Sequence, residues 1–542
     1  MNQWTLLKHL WPYNMSKKLN DYDFQKTESG NIIGNDKNRY MMRDLLNSKG
    51  PGFCLAKWTQ VTMHLGAGLT HSCHHPVAHK ISVEELEKDP GALHNTSHKK
   101  EQRKAMLNGE RPAECDFCWR IEDNTGNISD RVLKSMDSFS IVDHDSISEL
   151  TGDENIYPRY VEVSFSNVCN FKCSYCGPTF SSKWAEEIKN QGAYDLGIGG
   201  KYNWAQHLPL KASEDNPYTR AFWKWFPDAL PHMHTFRITG GEPLLSKHTL
   251  KTLRYMIENP NPNLEVAVNS NACPPGDLWK EFTDVVNELL TKKCIKKFTL
   301  FVSAESVGQA AEFSRTGMDW NLFTSNVEYF LENTIDTRIT FMAAFNVFSI
   351  TTIREFLEYT LYLKKKYNKD GMTDWLLQSG IDPESFMLHG IDTHRNDRSL
   401  KTANISTKDL RVGIDIPYVR APDFLDPQIV TIDLVEKFML PAVSYMYQHT
   451  ANTEWINSNV YETWESLKLK RIFVDMLIAC KDSRNADETT QRQDIATKRA
   501  RFFAFIKEYE KRRSVNFLDV FPDMKDFLNV CELEFKKINE SK

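Results

Sequence analysis

Three cysteines lie close together in the segment NVCNFKCSYCG, residues 167–177: Cys169, Cys173 and Cys176. Their spacing, at intervals of four and three residues, lets three thiolates reach one metal centre and leaves one coordination position open. A structural zinc site usually has four protein ligands, whereas soft thiolates also hold iron–sulfur clusters. The triplet therefore favours a 4Fe-4S cluster whose last iron is left for an outside ligand.

The elements around this loop alternate between two patterns. Five apolar runs rich in β-branched residues are bounded by polar turns and predict strands, at residues 159–166, 234–240, 264–270, 296–304 and 337–347. Helical patterns separate them, at 247–259, 276–292 and 351–367. Alternation of this kind indicates βαβ units with a parallel sheet, and five or six strands would close or nearly close a barrel. Residues 385–391 are the candidate sixth strand.

Polar residues follow several of these strands, where the loops of an α/β barrel build the active site. The cysteine triplet follows the first strand, and RITGGEPLL, residues 237–245, ends the second. Two glycines allow close approach of the backbone, and the acidic residue supplies a negative charge. The candidate residues after the cysteine loop are Gly240, Gly241, Glu242, Pro243, Ser270, Asn271, Ser303 and Arg315.

The segments CNFKCSYC and GGEP together resemble the signature of the radical S-adenosylmethionine (SAM) enzymes. The resemblance covers about residues 157–350. It implies an α/β fold with a partial (β/α)6 barrel, in which SAM binds the open iron and Glu242 faces its ammonium group. Tyr175 belongs to the same motif, Ser270 and Asn271 match a polar turn for the SAM ribose or methionine, and Ser303 with Arg315 match residues that hold the ribose and carboxylate.

This resemblance also implies an activity. Reduction of the cluster by an external one-electron donor of the flavodoxin or ferredoxin type would cleave SAM to methionine and a 5′-deoxyadenosyl radical. The radical would take a hydrogen atom from a substrate, either a peptide or a small molecule, that the sequence does not identify. Near the expected site, Glu305 is a candidate substrate contact or proton acceptor, and Cys273 is interpreted as a buried apolar residue rather than a hydrogen donor. Ala272 stands where relatives often have glycine.

A second group of four cysteines precedes the predicted barrel: Cys54, Cys73, Cys115 and Cys118. Four thiolates saturate one cluster or one zinc ion. The order of these cysteines, with Gly68 in a G-x4-C pattern and the segment ECDFCW, resembles the twitch domain, a short form of the SPASM auxiliary-cluster domain. This resemblance implies a second 4Fe-4S cluster. A structural zinc site with His71, His74 or His75 competing as ligands stays open, because sequence does not separate the two metals at four thiolates.

The predicted domains are an N-terminal extension over 1–50, a small cluster domain over 51–150, the barrel over 157–400 and a mainly helical C-terminal region over 401–542. We expect residues 1–50 to be irregular. The cluster domain, with few long periodic runs, is expected to depend on its metal rather than on a core of its own.

Composition narrows the class of protein. With 41% hydrophobic and 26% charged residues and a net charge of −5, the chain has the profile of a soluble protein and no electrostatic footprint for nucleic acid. No apolar run reaches the ~20 residues that cross a bilayer, and the first residues do not resemble a signal peptide. We expect a cytoplasmic protein whose 11 cysteines serve metal or catalysis. Two alternatives to the enzyme remain: an iron–sulfur electron carrier, and a zinc-stabilised binding protein.

Overall fold

The computed structural model describes residues 17–26, 32–198, 201–202, 215–368, 410–450, 460–485 and 490–540. The candidate strand at 385–391 lies outside these residues. The chain divides into two compact units. The first comprises Met1–Ser166, Pro209–Gly240 and Asn261–Val266, and the second comprises Asn167–Leu208, Gly241–Pro260 and Ala267–Lys542.

The first unit contains a mixed sheet. Its strands are β1 (Gln60–His64), β2 (Leu69–His71), β3 (His79–Lys80), β4 (Tyr160–Ser164) and β5 (Thr235–Thr239), together with the first residues of β6 (Asn261–Ser270). The order is β3-β2-β1-β4-β5. The β1–β4 and β4–β5 pairs are parallel, and β2 pairs antiparallel with both β1 and β3. The parallel part follows from apolar, β-branched residues such as Val161 and Val163, which are fully buried.

Helices surround this sheet and supply a hydrophobic core. Their bounds are Asp36–Lys49, Ala56–Thr59, Val83–Lys88, Ser97–Leu107, Asp116–Thr125, Asp130–Met136, Ser138–Ile141, His144–Ser148 and Pro217–Ala229. One core cluster consists of Phe24, Met42, Leu45, Leu46, Phe53, Leu55, Trp58, Met106, Val132, Met136, Ile141 and Ile147. The N-terminal region therefore has a core of its own, and the expectation that it lacks one was wrong; its dependence on a metal stays a prediction.

The helix Asp36–Lys49 corrects a second expectation, that residues 1–50 are irregular. Asn35 caps its first turn by accepting a hydrogen bond from the Asn38 backbone N–H. Met42, Leu45 and Leu46 share one face and are fully buried. The polar residues between them concealed this apolar face in the sequence.

The second unit continues with parallel strands. They are the last residues of β6, then β7 (Ile295–Val302), β8 (Thr337–Met342) and β9 (Val412–Asp415), in that order. The β7–β8 and β8–β9 pairs are parallel. The five predicted strands are thus present as β4 to β8, and β1, β2, β3 and β9 were not predicted. The fold is mixed α/β with parallel strand pairs, and the partial barrel stays a prediction.

Helices alternate with these strands and dominate the end of the chain. Their bounds are Ser182–Gln191, Lys247–Glu258, Leu278–Thr291, Gly308–Ser314, Trp320–Asn333, Ile353–Tyr367, Leu440–Gln448, Thr463–Asn485, Thr490–Arg513, Phe517–Val520 and Lys525–Glu540, with a π-helical turn at Val435–Met439. The three predicted helices are confirmed to within two residues at each end. Within the described part of the chain, no helix combines the length and the apolar character needed to span a membrane.

Candidate functional site

The three-cysteine loop is held by hydrogen bonds on both sides. The Cys169 backbone N–H donates to Ser182 Oγ at 3.1 Å, and the Trp184 indole N–H donates to the Cys173 carbonyl at 2.8 Å. Ser182 and Trp184 lie in the helix that follows the loop. A short antiparallel pairing places Cys173 opposite Arg315. These hydrogen bonds and this pairing give the loop a defined path.

The three sulfurs are free thiols in a poorly solvated setting. Burial raises the pKa of Cys169, Cys173 and Cys176, the last to about 12. At neutral pH such groups become thiolates only when a cation compensates the charge, so metal binding there would release protons. This chemistry suits a metal-ligand loop and does not suit a free thiolate nucleophile.

Glu242 is a buried carboxylate beside this loop. Its side chain is 1% exposed, and its backbone N–H donates to the Val168 carbonyl at 2.8 Å. Ser270 Oγ donates to Glu242 Oε1 at 2.9 Å, and the Asn271 N–H donates to Oε2 at 2.7 Å. Among the described residues no Lys, Arg or His forms an ion pair with it, and burial raises its pKa to about 7. The site holds a carboxylate that is oriented by neutral donors and lacks a cation.

Asn170 joins the polar turn to the cysteine loop, and sequence reasoning missed it. Its Oδ1 accepts from Asn271 Nδ2 at 2.7 Å, and its Nδ2 donates to the Cys273 carbonyl at 2.7 Å. Ala272, between them, has φ of 56°, the left-handed region in which glycine costs least. The position of Asn170 directly after Cys169 was the available signal.

A side chain is disfavoured at each of the two glycines of GGEP, for different steric reasons. A Cβ on Gly241 would lie 2.4 Å from the Val168 carbonyl oxygen, so the backbone there passes against the cysteine loop. Gly240 has φ of 137°, and a Cβ on it would lie 2.8 Å from the Ser166 carbonyl oxygen. Pro243 begins a short 3₁₀ turn, residues Pro243–Leu245, in which the Leu244 N–H donates to Glu242 Oε1 at 3.1 Å. The motif thus orients the buried carboxylate.

Arg315 and Glu305 form a buried ion pair behind Cys173. The Arg315 Nε donates to Glu305 Oε2 at 3.0 Å, and the two side chains are 5% and 0% exposed. Tyr175 donates its hydroxyl to the same oxygen at 3.2 Å. A second Arg315 nitrogen, Nη1, lies 3.8 Å from Cys173 Sγ. Burial lowers the pKa of Arg315, but the charge of Glu305 outweighs it and raises that pKa overall.

The ion pair brings the predicted site residues Tyr175, Glu305 and Arg315 into contact with one another, which the sequence did not predict. Arg315, the predicted contact of the SAM carboxylate, has its guanidinium engaged by Glu305. Glu305, the candidate substrate contact, is fully buried. Ser303 is partly exposed, and its N–H donates to the Ser270 carbonyl at 3.2 Å.

The first unit brings its four cysteines to one cavity. Cys54 precedes a helical turn, Cys73 follows β2, Cys115 ends a 3₁₀ turn and Cys118 lies in the first turn of the next helix. All four line the cavity, with His75, Asp130, Arg131 and Lys134 among its other walls. Burial raises the pKa of each thiol, to about 12 for Cys115 and about 11 for Cys118.

The spacing of these sulfurs bears on the metal. Four thiolates on one zinc ion, each at about 2.3 Å, would lie about 3.8 Å apart. In the described part of the chain no three cysteine sulfurs lie within 4.8 Å of one another, here or in the three-cysteine loop. A site with several metal atoms between the ligands fits the wider spacing better.

Both the backbone conformation and the neighbouring side chain require glycine at the first position of the G-x4-C pattern. Gly68 has φ of 65°, and a Cβ on it would lie 2.2 Å from the Tyr218 ring. The nearby His71 directs Nε2 to His64 Nε2 at 3.2 Å and Nδ1 to the Cys73 carbonyl. His71 is therefore engaged beside the cavity rather than within it.

Comparison with known proteins gives little further information. No protein-family model matches the chain, and no curated protein is detectably similar to it. Three solved structures of Streptococcus suis SuiB align with it in part. SuiB alone aligns at 14% identity and a TM-score of 0.27 over 59% of this chain and 65% of SuiB, which is less than two thirds of that protein. SuiB bound to S-adenosylmethionine aligns at 14% identity and a TM-score of 0.28, over 59% of this chain and 66% of SuiB. SuiB bound to the precursor peptide SuiA aligns at 12% identity and a TM-score of 0.27, over 66% of this chain and 72% of SuiB. At these TM-scores and identities the alignments establish neither the fold nor the activity of this chain.

Proposed function

We propose that this chain is a radical SAM enzyme that uses the Cys169, Cys173 and Cys176 loop to hold a 4Fe-4S cluster. The observation that carries the proposal is Glu242, a fully buried carboxylate held beside that loop with no ion-pair partner among the described residues. A buried charge without a cation is costly, and the ammonium group of SAM supplies the cation that the chain does not. An electron carrier or a zinc-stabilised binding protein has no use for such a group.

The chain's own residues would then have these roles. The three thiols lose their protons and bind the metal cluster. Glu242 receives the ammonium of SAM. Ser270 and Asn271 orient the Glu242 carboxylate, and Asn170 ties Asn271 to the cysteine loop. The pair Glu305–Arg315 packs behind Cys173 and fixes the strand that carries it.

Held by these three cysteines, a reduced cluster would supply the electron that cleaves SAM to methionine and a 5′-deoxyadenosyl radical, which would take a hydrogen atom from a peptide or small-molecule substrate. A flavodoxin or ferredoxin type of reductant is the corresponding partner. We place the enzyme in the cytoplasm, where its 11 free cysteines stay reduced.

We also propose a second iron–sulfur cluster at Cys54, Cys73, Cys115 and Cys118. The shared cavity and the sulfur spacing support it. The buried thiols need a polyvalent cation to exist as thiolates, which either metal would supply. The resemblance of the cysteine order to an auxiliary-cluster domain is what favours the cluster over zinc.

The test of the proposed activity is cleavage of SAM. The protein is purified without oxygen, reconstituted with iron and sulfide and reduced with dithionite, and 5′-deoxyadenosine is measured by mass spectrometry after SAM is added. Wild type should form it, Cys173→Ala should not, and Cys294→Ala, which removes a buried thiol outside the loop, should behave as wild type.

Three results would contradict the proposed enzyme. Equal product from Cys173→Ala would place the chemistry elsewhere. A fully reduced cluster that yields no 5′-deoxyadenosine, with or without a library of candidate peptides, would favour the electron carrier. Zinc in place of iron in the purified protein would favour the binding protein.

A further inference from the structure

A third group of metal-binding side chains lies in the first unit, outside both cysteine sets. His74, His75 and Asp130 bring one ligand atom each to within 4.8 Å of one another. The Nε2 atoms of His74 and His75 lie 3.3 Å and 2.8 Å from the same oxygen, Asp130 Oδ2. In the part of the chain that the structure describes, no other three residues of ligand type converge in this way.

These distances suit a single ion. Imidazole nitrogens and carboxylate oxygens bind zinc at about 2.0–2.2 Å, which places neighbouring ligands of a tetrahedron about 3.4 Å apart. The distance from His74 to Asp130 already has that value, and the distance from His75 is shorter by about half an ångström. Both imidazoles would need a proton on Nε2 to hydrogen-bond this oxygen, whereas a metal ion binds both through their lone pairs.

The surroundings hold two of the three ligands in place and leave the third accessible. The His75 ring stacks on Phe117 with centroids 3.9 Å apart, and its side chain is 12% exposed. Asp130 is the first residue of the helix Asp130–Met136 and is about one third exposed. His74, at 61% exposure, lies open to solvent. An ion held by three protein ligands at the surface keeps a position for water, as in sites that exchange ligands.

The basic side chains near His74, His75 and Asp130 leave the Asp130 carboxylate free to bind a metal ion. The neighbouring Arg131 is bound to Glu122, with its Nε at 3.0 Å from Oε1, and does not pair with Asp130. Arg131 and Lys134 are the cations that line the four-cysteine cavity. The partners of the Asp130 carboxylate are thus the two imidazoles.

We propose that His74, His75 and Asp130 bind a divalent metal ion of the zinc type at the wall of the four-cysteine cavity. The ion would fasten the loop that carries Cys73 to the start of the helix Asp130–Met136. His75 and Asp130 line the same cavity as the four cysteines, so the ion would stabilise that wall without replacing a thiolate ligand. Two nitrogens and one oxygen suit zinc or another late first-row ion better than calcium or magnesium.

The test uses the full chain after anaerobic reconstitution, with Co²⁺ as the spectroscopic probe and Zn²⁺ for stoichiometry and affinity. Wild type should bind one further equivalent of Co²⁺ with visible bands of a nitrogen and oxygen site, without sulfur-to-cobalt charge transfer and without loss of iron. His74→Ala and Asp130→Asn should each weaken Zn²⁺ binding at least tenfold. The control His232→Ala removes an exposed histidine that stacks on Tyr157 and should bind as wild type.

Three results would overturn the proposal: no further equivalent in wild type, a Zn²⁺ affinity in both variants equal to that of wild type, or uptake that displaces iron and shows sulfur charge transfer, which would place the ion on the cysteines. None of these measurements uses SAM cleavage. Failure of this site and failure of the proposed activity are therefore separate outcomes.

Discussion

Replacing Glu305 by glutamine would leave the Arg315 guanidinium buried without a counter-ion. The guanidinium is 5% exposed, and Glu305 is its ion-pair partner behind Cys173. Removing one partner of a buried pair costs about 3–5 kcal/mol, because the remaining charge is uncompensated. Glutamine keeps an acceptor for Tyr175 and Ser314, so the expected loss is at the lower end, about 3 kcal/mol.

The assay is urea unfolding of the reconstituted protein, with a second buried pair as the control. Lys364 and Glu465 pair at 3.0 Å with 1% and 0% exposure, away from the cysteine loop, and Glu465 also accepts from the Ile414 N–H at 2.8 Å. Glu465→Gln should therefore cost a similar free energy of unfolding. At a temperature where both variants are folded, Glu305→Gln should reduce 5′-deoxyadenosine formation at least tenfold, and Glu465→Gln should not.

The double variant Glu305→Gln with Arg315→Met separates the charge from the packing. It removes both charges, so its cost should fall at least about 2 kcal/mol below the sum of the single costs. A cost under about 1 kcal/mol for Glu305→Gln, in the range of exposed pairs, would refute the reasoning on burial. Equal SAM cleavage in the Glu305 and Glu465 variants would refute the assignment of this pair to the cysteine loop.

Three further predictions follow from the same geometry. Burial raises the pKa of Glu242 from its usual 4.5 to about 7, so between these pH values the native protein without SAM keeps a proton that the unfolded chain has lost. The free energy of unfolding should therefore fall by about 3 kcal/mol as the pH rises from 4.5 to 7. Urea unfolding at several pH values measures this slope, which Glu242→Gln should remove. A Cβ at Gly241 would lie 2.4 Å from backbone of the cysteine loop, so Gly241→Ala should lower the free energy of unfolding by about 1–3 kcal/mol and lose most iron of the three-cysteine site. The control Gly34→Ala, whose Cβ would have no atom within 4 Å, should lose neither stability nor iron. Retention of iron in both variants would contradict the close approach. Cys118→Ser should lose about half of the bound iron and Cys480→Ser none, by iron analysis after reconstitution, and full iron in both would exclude a cluster at the four cysteines.

Local patterns in the sequence were enough for much of the second half of the fold. The runs that became β4 to β8 carry apolar, β-branched residues in short stretches, and the helices between them repeat their apolar residues at helical spacing. Both signals are internal to one element. The helix Asp36–Lys49 and strand β1 were missed, because their apolar residues are few and lie among polar ones.

The amino-acid sequence by itself determined the two cysteine sets, the GGEP motif and the types of residue that follow each strand, since these depend only on chemistry and spacing along the chain. Tertiary structure decided how they are used. It paired Arg315 with Glu305, ten residues apart, and gave Glu242 no ion-pair partner among the residues that the structure describes. It also brought Asp130 to His74 and His75 across more than 50 residues. Ion pairs and metal sites depend on distances of a few ångströms between side chains, and only the packing of the folded chain sets those distances.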